Sequence, residues 1–309
     1  MAIGNFSFSS LERGAMKNLG IPSAVTMYFT NSETGVHGFA VNYSSNVLPK
    51  IPSCNGINVY LGQSPDGKWL CFDLTAEYLE NVFITLCYDL GEYVRGDMNE
   101  LSCLKKIKKR FDLWRNMLKI SKKELDPAIE QGYYGEMLFL SKAINAFGEE
   151  RAIDSWAGPD KFSKDFTISG TWYEIKTIGS EAEKVTISSL NQLDDPEPGH
   201  LVIVSVERKT TESSSDTIVS ILNRILEAIQ NPEVKDKFIQ KLFKVGISLA
   251  IVPKCSFNLK SMSYFKVDNA FPRLTVKDKK FNEIVDIKYS LYIGGLTRFK
   301  EDEKDALIA

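Results

Sequence analysis

The 309 residues are 43% apolar and 25% charged with a formal net charge of −2. This is ordinary globular composition with material for two or three compact units, and its mild acidity excludes a protein that coats nucleic acid by charge alone. The five cysteines (Cys54, Cys71, Cys87, Cys103, Cys255) form no CxxC pair and the only histidines are His37 and His200, which argues against a disulfide framework, a zinc knuckle or a histidine-based triad.

The amino terminus, MAIGNFSFSS, lacks a signal-peptide pattern. No apolar run approaches the roughly 18 residues a bilayer crossing needs, so the expected setting is a reducing cytoplasm with no membrane. Residues 22–75 read as a β-meander of four strand-like runs (AVTMYF, GFAVNY, INVYLG, KWLCFDL) separated by turn clusters. Helical patterns follow at 77–95 and 101–119.

Charge is unevenly spread. Residues 1–100 hold 5 Lys/Arg against 10 Asp/Glu, and residues 101–124 hold 9 against 2. In the second segment Leu101, Leu104, Phe111, Trp114 and Leu118 recur at helical spacing, giving an apolar stripe and a lysine-rich back. That back is either a solvated face or a phosphate-contacting surface presenting Lys105, Lys106, Lys109 and Arg110.

Asp126-Pro127 reads as an N-cap with proline at the first helical position. The helix it opens carries a stripe of Tyr133, Met137, Leu140, Ile144 and Phe147, with Glu136 at the stripe's edge. A strand at 151–156, a hairpin at 164–179 (KDFTISGTWYEIKTIG), a short helix at 187–194 and the buried strand HLVIVSV complete an α-β-β-β-α-β order. Helices near 216–230 and 233–244 and further antiparallel strands from ISLAIVP to EIVDIKYSLYI follow. The chain thus divides into a β-rich region (1–76), a helical connector (77–125), a core (126–207) and a C-terminal α+β region (208–309).

The hairpin carries the chemistry. A two-residue turn at Gly170-Thr171 sets Phe166 opposite Ile175 and Asp165 opposite Lys176. Strand alternation then gathers Asp165, Glu174 and Lys176 on one face. The bland alternative is a cross-strand ion pair with a solvated glutamate. Two carboxylates and the Ile175 carbonyl suit a hard cation such as Mg²⁺, and Lys176 could orient a water or offset developing charge. The triplet alone carries little weight: Asp278, Asp286 and Lys288 repeat the pattern, and Glu233-x-Lys235 is another instance. The 165–176 set differs in its frame, with Glu136 on the helix before it and Gln192 on the helix after it.

Together these residues resemble the PD-(D/E)xK phosphodiesterase superfamily, with its αβββαβ core. More narrowly, YYGEMLFL, WAGPDKFSKDF, WYEIKT, ISSLNQL and FPRL resemble a family of uncharacterised PD-(D/E)xK proteins associated with restriction and phage defence. The resemblance implies an α+β restriction-endonuclease-like fold and hydrolysis of DNA phosphodiesters with Mg²⁺, or Mn²⁺ in its place. It also implies Asp165, Glu174 and the Ile175 carbonyl as metal ligands, with Glu136, Lys176 and Gln192 completing the site. A DNA methyltransferase or other defence subunit, and a homodimer, are the partners it suggests. Pro159-Asp160 supplies the literal Pro-Asp pair, so Asp160 stands as an alternative to Asp165. The competing expectation is a non-cleaving DNA-binding or scaffold subunit on the same fold.

Overall fold

A computed structural model describes residues 6–65, 67–119, 126–158, 164–210, 216–247, 253, 255–278, 280–281 and 283–307. It divides into two compact units, Met1–Lys123 with Gly246–Val252, and Glu124–Val245 with Pro253–Ala309. No helix among the described residues is long and apolar enough to cross a membrane.

The first unit holds an antiparallel sheet of β1 (Met16–Asn18), β2 (Thr26–Asn31), β3 (His37–Tyr43), β4 (Ile57–Ser64) and β5 (Gly67–Leu74), followed by α1 (Glu80–Tyr93) and α2 (Glu100–Lys119). The strand order is β1-β2-β3-β5-β4, so the expected meander is broken: β5 sits between β3 and β4. Burial explains the swap. Phe39, Val41, Leu70 and Phe72 on β3 and β5 are almost wholly buried, whereas β4 turns Tyr60 and Leu61 to solvent, as an edge strand can. Helix α2 buries Cys103, Leu104, Ile107, Phe111, Trp114 and Leu118; the expected stripe gains Cys103 and Ile107 at helical spacing, while Leu101 at its start is only half-buried.

The second unit begins with α3 (Pro127–Phe147), which Asp126 caps by accepting the Ala128 N–H at 2.8 Å. Tyr134, rather than Tyr133, joins its buried stripe. Gly148, at φ 86°, ends α3. The strand expected at 151–156 is instead helix α4 (Glu149–Ser155); Ala152, Ile153 and Trp156 are buried at i, i+1 and i+4, which is one face of a helix. Next come β6 (Phe166–Ile168), β7 (Thr171–Gly179), β8 (Lys184–Ile187), a 3₁₀ turn at Leu190–Gln192 where a longer helix was expected, and β9 (Gly199–Thr210). Helices α5 (Ile218–Ala228) and α6 (Pro232–Lys244) precede β10 (Cys255–Val267), β11 (Tyr289–Tyr292), β12 (Lys300–Glu301) and α7 (Glu303–Ala306). The strand expected at ISLAIVP falls mostly outside the described residues.

The main sheet has the order β12-β10-β9-β7-β6, and β8 pairs with β11 in a separate ribbon. Among the described residues only β7 and β9 run parallel; β6, β10 and β12 join antiparallel. The boundary expected at 207 falls inside β9, and β10 extends the same sheet. Strand β7 is covered on both faces. Trp172 packs with Leu201, Ile203, Leu193 and Phe265 on one face. On the other, the Tyr173 ring lies 4.9 Å from the Phe139 ring of α3.

Candidate active site

The hairpin forms, but with a different turn. Ser169 (φ 51°) and Gly170 (φ 88°) occupy its two central positions, and the ladder pairs Phe166 with Tyr173 and Ile168 with Thr171. Two successive positive φ values are the mark of a type I′ turn, replacing the type II′ turn expected at Gly170-Thr171. The choice leaves the β-branched Thr171 in the strand, where its stiff side chain is favoured. The register is displaced by two residues, an even number, so the faces survive. Asp165 now lies one step beyond the last ladder pair, across from Glu174 instead of Lys176.

Beyond the end of β6, the Asp165 side chain replaces the missing ladder partner. Its Oδ2 accepts the Ile175 N–H at 2.7 Å, and its main-chain carbonyl accepts the Ala157 N–H at 2.9 Å. In a strand the N–H and C=O of one residue face the same edge, so the Ile175 carbonyl is turned towards this side as well. Lys176 Nζ donates to Glu174 Oε1 at 2.7 Å, and Glu174 is 1% exposed.

Glu136 arrives from α3, and a glycine sets how closely that helix approaches. A Cβ on Gly135 would stand 1.8 Å from Thr177 Oγ1 on β7. Only glycine permits this contact, which brings the next residue, Glu136, up to the hairpin. There Trp156 Nε1–H donates to Glu136 Oε2 at 2.9 Å. Trp156 is fully buried and its backbone bridges to Phe166, so one residue ties Glu136 to the strand that follows Asp165.

Burial pushes the Glu136 carboxyl up, and the charge of Asp165 pushes it further; the Trp156 N–H and Lys176 oppose both. Burial also raises Asp165, against the Ile175 N–H and Lys176. Glu174 is pushed up to about 8, first by burial and then by Asp165, despite Lys176 and Lys164. Asp165 therefore acts on both Glu136 and Glu174, and each of the three buried acids favours added positive charge nearby.

Other expected residues fare differently. Gln192 Oε1 accepts the Ser188 N–H at 2.8 Å within its own turn; its side chain is committed locally, contrary to its expected place in the site. Asp160 lies outside the described residues. On α2, Lys105 and Lys109 are exposed and Lys106 pairs with Asp97 at 2.8 Å. Arg110 is a correction: it is fully buried and grips both Asp89 oxygens, at 2.5 and 2.9 Å. Its place in the stripe is set by that ion pair, and it cannot meet a phosphate. Trp156 and Lys164 went unrecognised in the sequence. The spacing of Trp156 from Ala152 and Ile153 carried a signal, whereas nothing local distinguished Lys164.

Among the described residues no three His, Cys, Asp or Glu side chains are grouped so as to hold a metal ion. Mg²⁺ commonly takes only one or two carboxylates, so Asp165 and Glu174 with the Ile175 carbonyl match that demand in donor type. The Lys176 ammonium on Glu174 already stands in for a cation at this place.

A family model described as "Putative PD-(D/E)XK family member (DUF4420)" matches residues 18–294. No curated protein and no solved structure matches the chain.

Proposed function

Since the chain belongs to this PD-(D/E)XK family, we propose that it is a divalent-metal-dependent nuclease that hydrolyses DNA phosphodiester bonds in a restriction or phage-defence setting. The observation that carries the reading is Asp165 on the Ile175 N–H beside the Lys176–Glu174 pair, with the charge of Asp165 felt at both Glu136 and Glu174; three separate elements supply these groups. Asp165 and Glu174, with the Ile175 carbonyl, would hold Mg²⁺ or Mn²⁺. When bound, the ion supplies Lewis acidity towards a phosphoryl oxygen and makes a water more acidic.

The chain's own residues do the rest. Asp165 holds the Ile175 peptide, and so the carbonyl of the same residue, at the open edge of β7. Lys176, 17% exposed at its side chain, is the cation that reaches from the buried acids towards solvent. It is placed to orient an attacking water and to offset charge growing on the phosphorus-bound oxygens. Glu136, held by the Trp156 indole, accepts a proton or a water hydrogen bond at its remaining oxygen. Hydrolysis then proceeds by direct attack of water, with no enzyme nucleophile.

The test is cleavage of methylated and unmethylated plasmid with Mg²⁺, Mn²⁺ or EDTA, beside a Glu174→Ala, Lys176→Ala double variant. Metal-dependent nicking or linearisation, absent from the variant, is the expected result. A second reading has its own observation: each of the three acids already has an internal hydrogen-bond donor, as a non-cleaving scaffold subunit would need. DNA binding without cutting under any metal, and cutting only with a methyltransferase or other defence subunit present, would favour it.

A further inference from the structure

The residue before Asp165 has a role that the reaction outlined above leaves out. Lys164 is only 6% exposed. Its Nζ donates to three main-chain carbonyls, Asn191 at 2.7 Å, Gln192 at 3.0 Å and Asp194 at 3.3 Å. It also lies 4.3 Å from the centre of the Trp172 ring and 4.0 Å from Asp195 Oδ2. Arg273, of the FPRL motif, takes the two carbonyls that Lys164 leaves: Nη1 donates to Leu193 at 2.5 Å and Nη2 to Asp195 at 3.3 Å.

Every carbonyl from 191 to 195 is thus held by one of two cationic side chains. A turn has no reason of its own to aim five successive carbonyls at cations. Hydrophobic packing would seat Leu193, which is fully buried, but would not fix the carbonyls around it. The pattern is that of a segment organised around fixed charges. One of those charges hangs from the residue that precedes a metal-binding aspartate.

We propose that Lys164 and Arg273 are positioning residues of the nuclease site, locking the 191–195 turn and, through Lys164, the entry of the chain into Asp165. This rests on the reading of Asp165 and Glu174 as metal ligands. Asp165 is then held from three directions: its main-chain carbonyl by Ala157, its carboxylate by Ile175, and its preceding residue by the turn. Trp172 links the same parts, lying under the ammonium while its Nε1–H donates to the Glu197 carbonyl at 2.8 Å. A methionine at 164 would fill the volume but leave three carbonyls without their donor. The turn would then reorganise to hydrate them, carrying residue 164 with it. Residues that orient metal ligands without touching the metal are typically worth about 10–100-fold in affinity.

The experiment is Mn²⁺ titration of the whole protein by calorimetry, with thermal unfolding and near-ultraviolet circular dichroism on the same samples. Wild type, Glu174→Ala, Lys164→Met, Lys164→Arg, Arg273→Gln and the surface control Lys237→Met are compared. Mn²⁺ binding to the wild type that Glu174→Ala abolishes establishes the ligand pair. Lys164→Met is then expected to weaken Mn²⁺ by about 10-fold or more. Arg273→Gln should weaken it less and Lys164→Arg should recover part of the loss, while Lys237→Met matches the wild type. Wild-type Mn²⁺ affinity in folded Lys164→Met and Arg273→Gln, with only the melting temperature lowered, would overturn the proposal and leave the ligand reading intact. Should Lys164→Met fail to fold, Arg273→Gln decides alone, and an unchanged affinity there overturns the proposal. Absence of Glu174-dependent Mn²⁺ binding in the wild type removes the ligand reading, and this proposal with it.

Discussion

A carboxyl group held near pH 8 in the folded chain leaves a trace in stability. Glu174 keeps its proton in the fold up to about 8, against a usual value of 4.5. Between those two pH values the folded protein binds more protons than the unfolded chain, so stability falls as pH rises and the contribution is gone above about 8. Metal-free wild type is expected to lose melting temperature steadily from pH 5 to 8.5. Glu174→Gln should give a flatter profile, with Glu136 and Asp165 supplying the slope that remains. Mn²⁺ at pH 8 should restore the wild type and not the variant. Parallel pH profiles for the two proteins would remove Glu174 as a strained acid. Of the residues concerned, the four chemical groups Glu136, Asp165, Glu174 and Lys176 were legible from their order and spacing. The groups that hold them were not, because an indole N–H aimed at Glu136 and an ammonium set among carbonyls are products of tertiary contact.

Elements were readable where their hydrophobic period was long. Helices α2 and α3 declare themselves over 20 and 21 residues, and the Asp126-Pro127 start of α3 is where capping chemistry places it. Helix α4 has only seven residues, too few for a 3.6-residue period to be told from a strand by pattern alone. In the hairpin the strand faces were legible and the register was not, since Ser169 had to adopt a positive φ that its residue type rarely chooses. The contact between α3 and β7 turns on one position. Gly135→Ala would drive a methyl into Thr177 Oγ1, and overpacking of this kind typically costs about 1–3 kcal/mol. A lowered melting temperature together with a fall in nuclease activity is expected, and Thr177→Ala added to Gly135→Ala should recover part of both. A Gly135→Ala protein as stable and as active as the wild type would mean that α3 can shift without disturbing Glu136.

Over the whole molecule, with a net charge of −2, the DNA binding proposed above would have to rest on local surfaces, and α2 must be judged residue by residue. Lys105→Glu with Lys109→Glu is expected to leave stability within about 0.5 kcal/mol, as for exposed positions generally. If this face meets phosphate, the same pair should weaken DNA binding and flatten its dependence on log salt by about 1.8, two contacts at 0.9 each. Arg110→Met should behave in the opposite way. Removing one partner of a buried ion pair costs about 3–5 kcal/mol, so denaturant unfolding should show a large loss of stability from Arg110→Met. DNA binding by its folded fraction should be unchanged. Summed charge marked the segment as basic, but it could not separate the arginine that pairs with Asp89 of α1 from the exposed lysines beside it.

The two-residue tip of the hairpin sets a rule for how this family can vary. Sliding one strand past the other by two residues returns every side chain to its own face, and sliding it by one exchanges the faces. Evolution can therefore lengthen the Ser169-Gly170 tip in steps of two with the acids still on one face. A single-residue insertion there would need a bulge to absorb it, or would send Glu174 and Lys176 to the face that α3 covers.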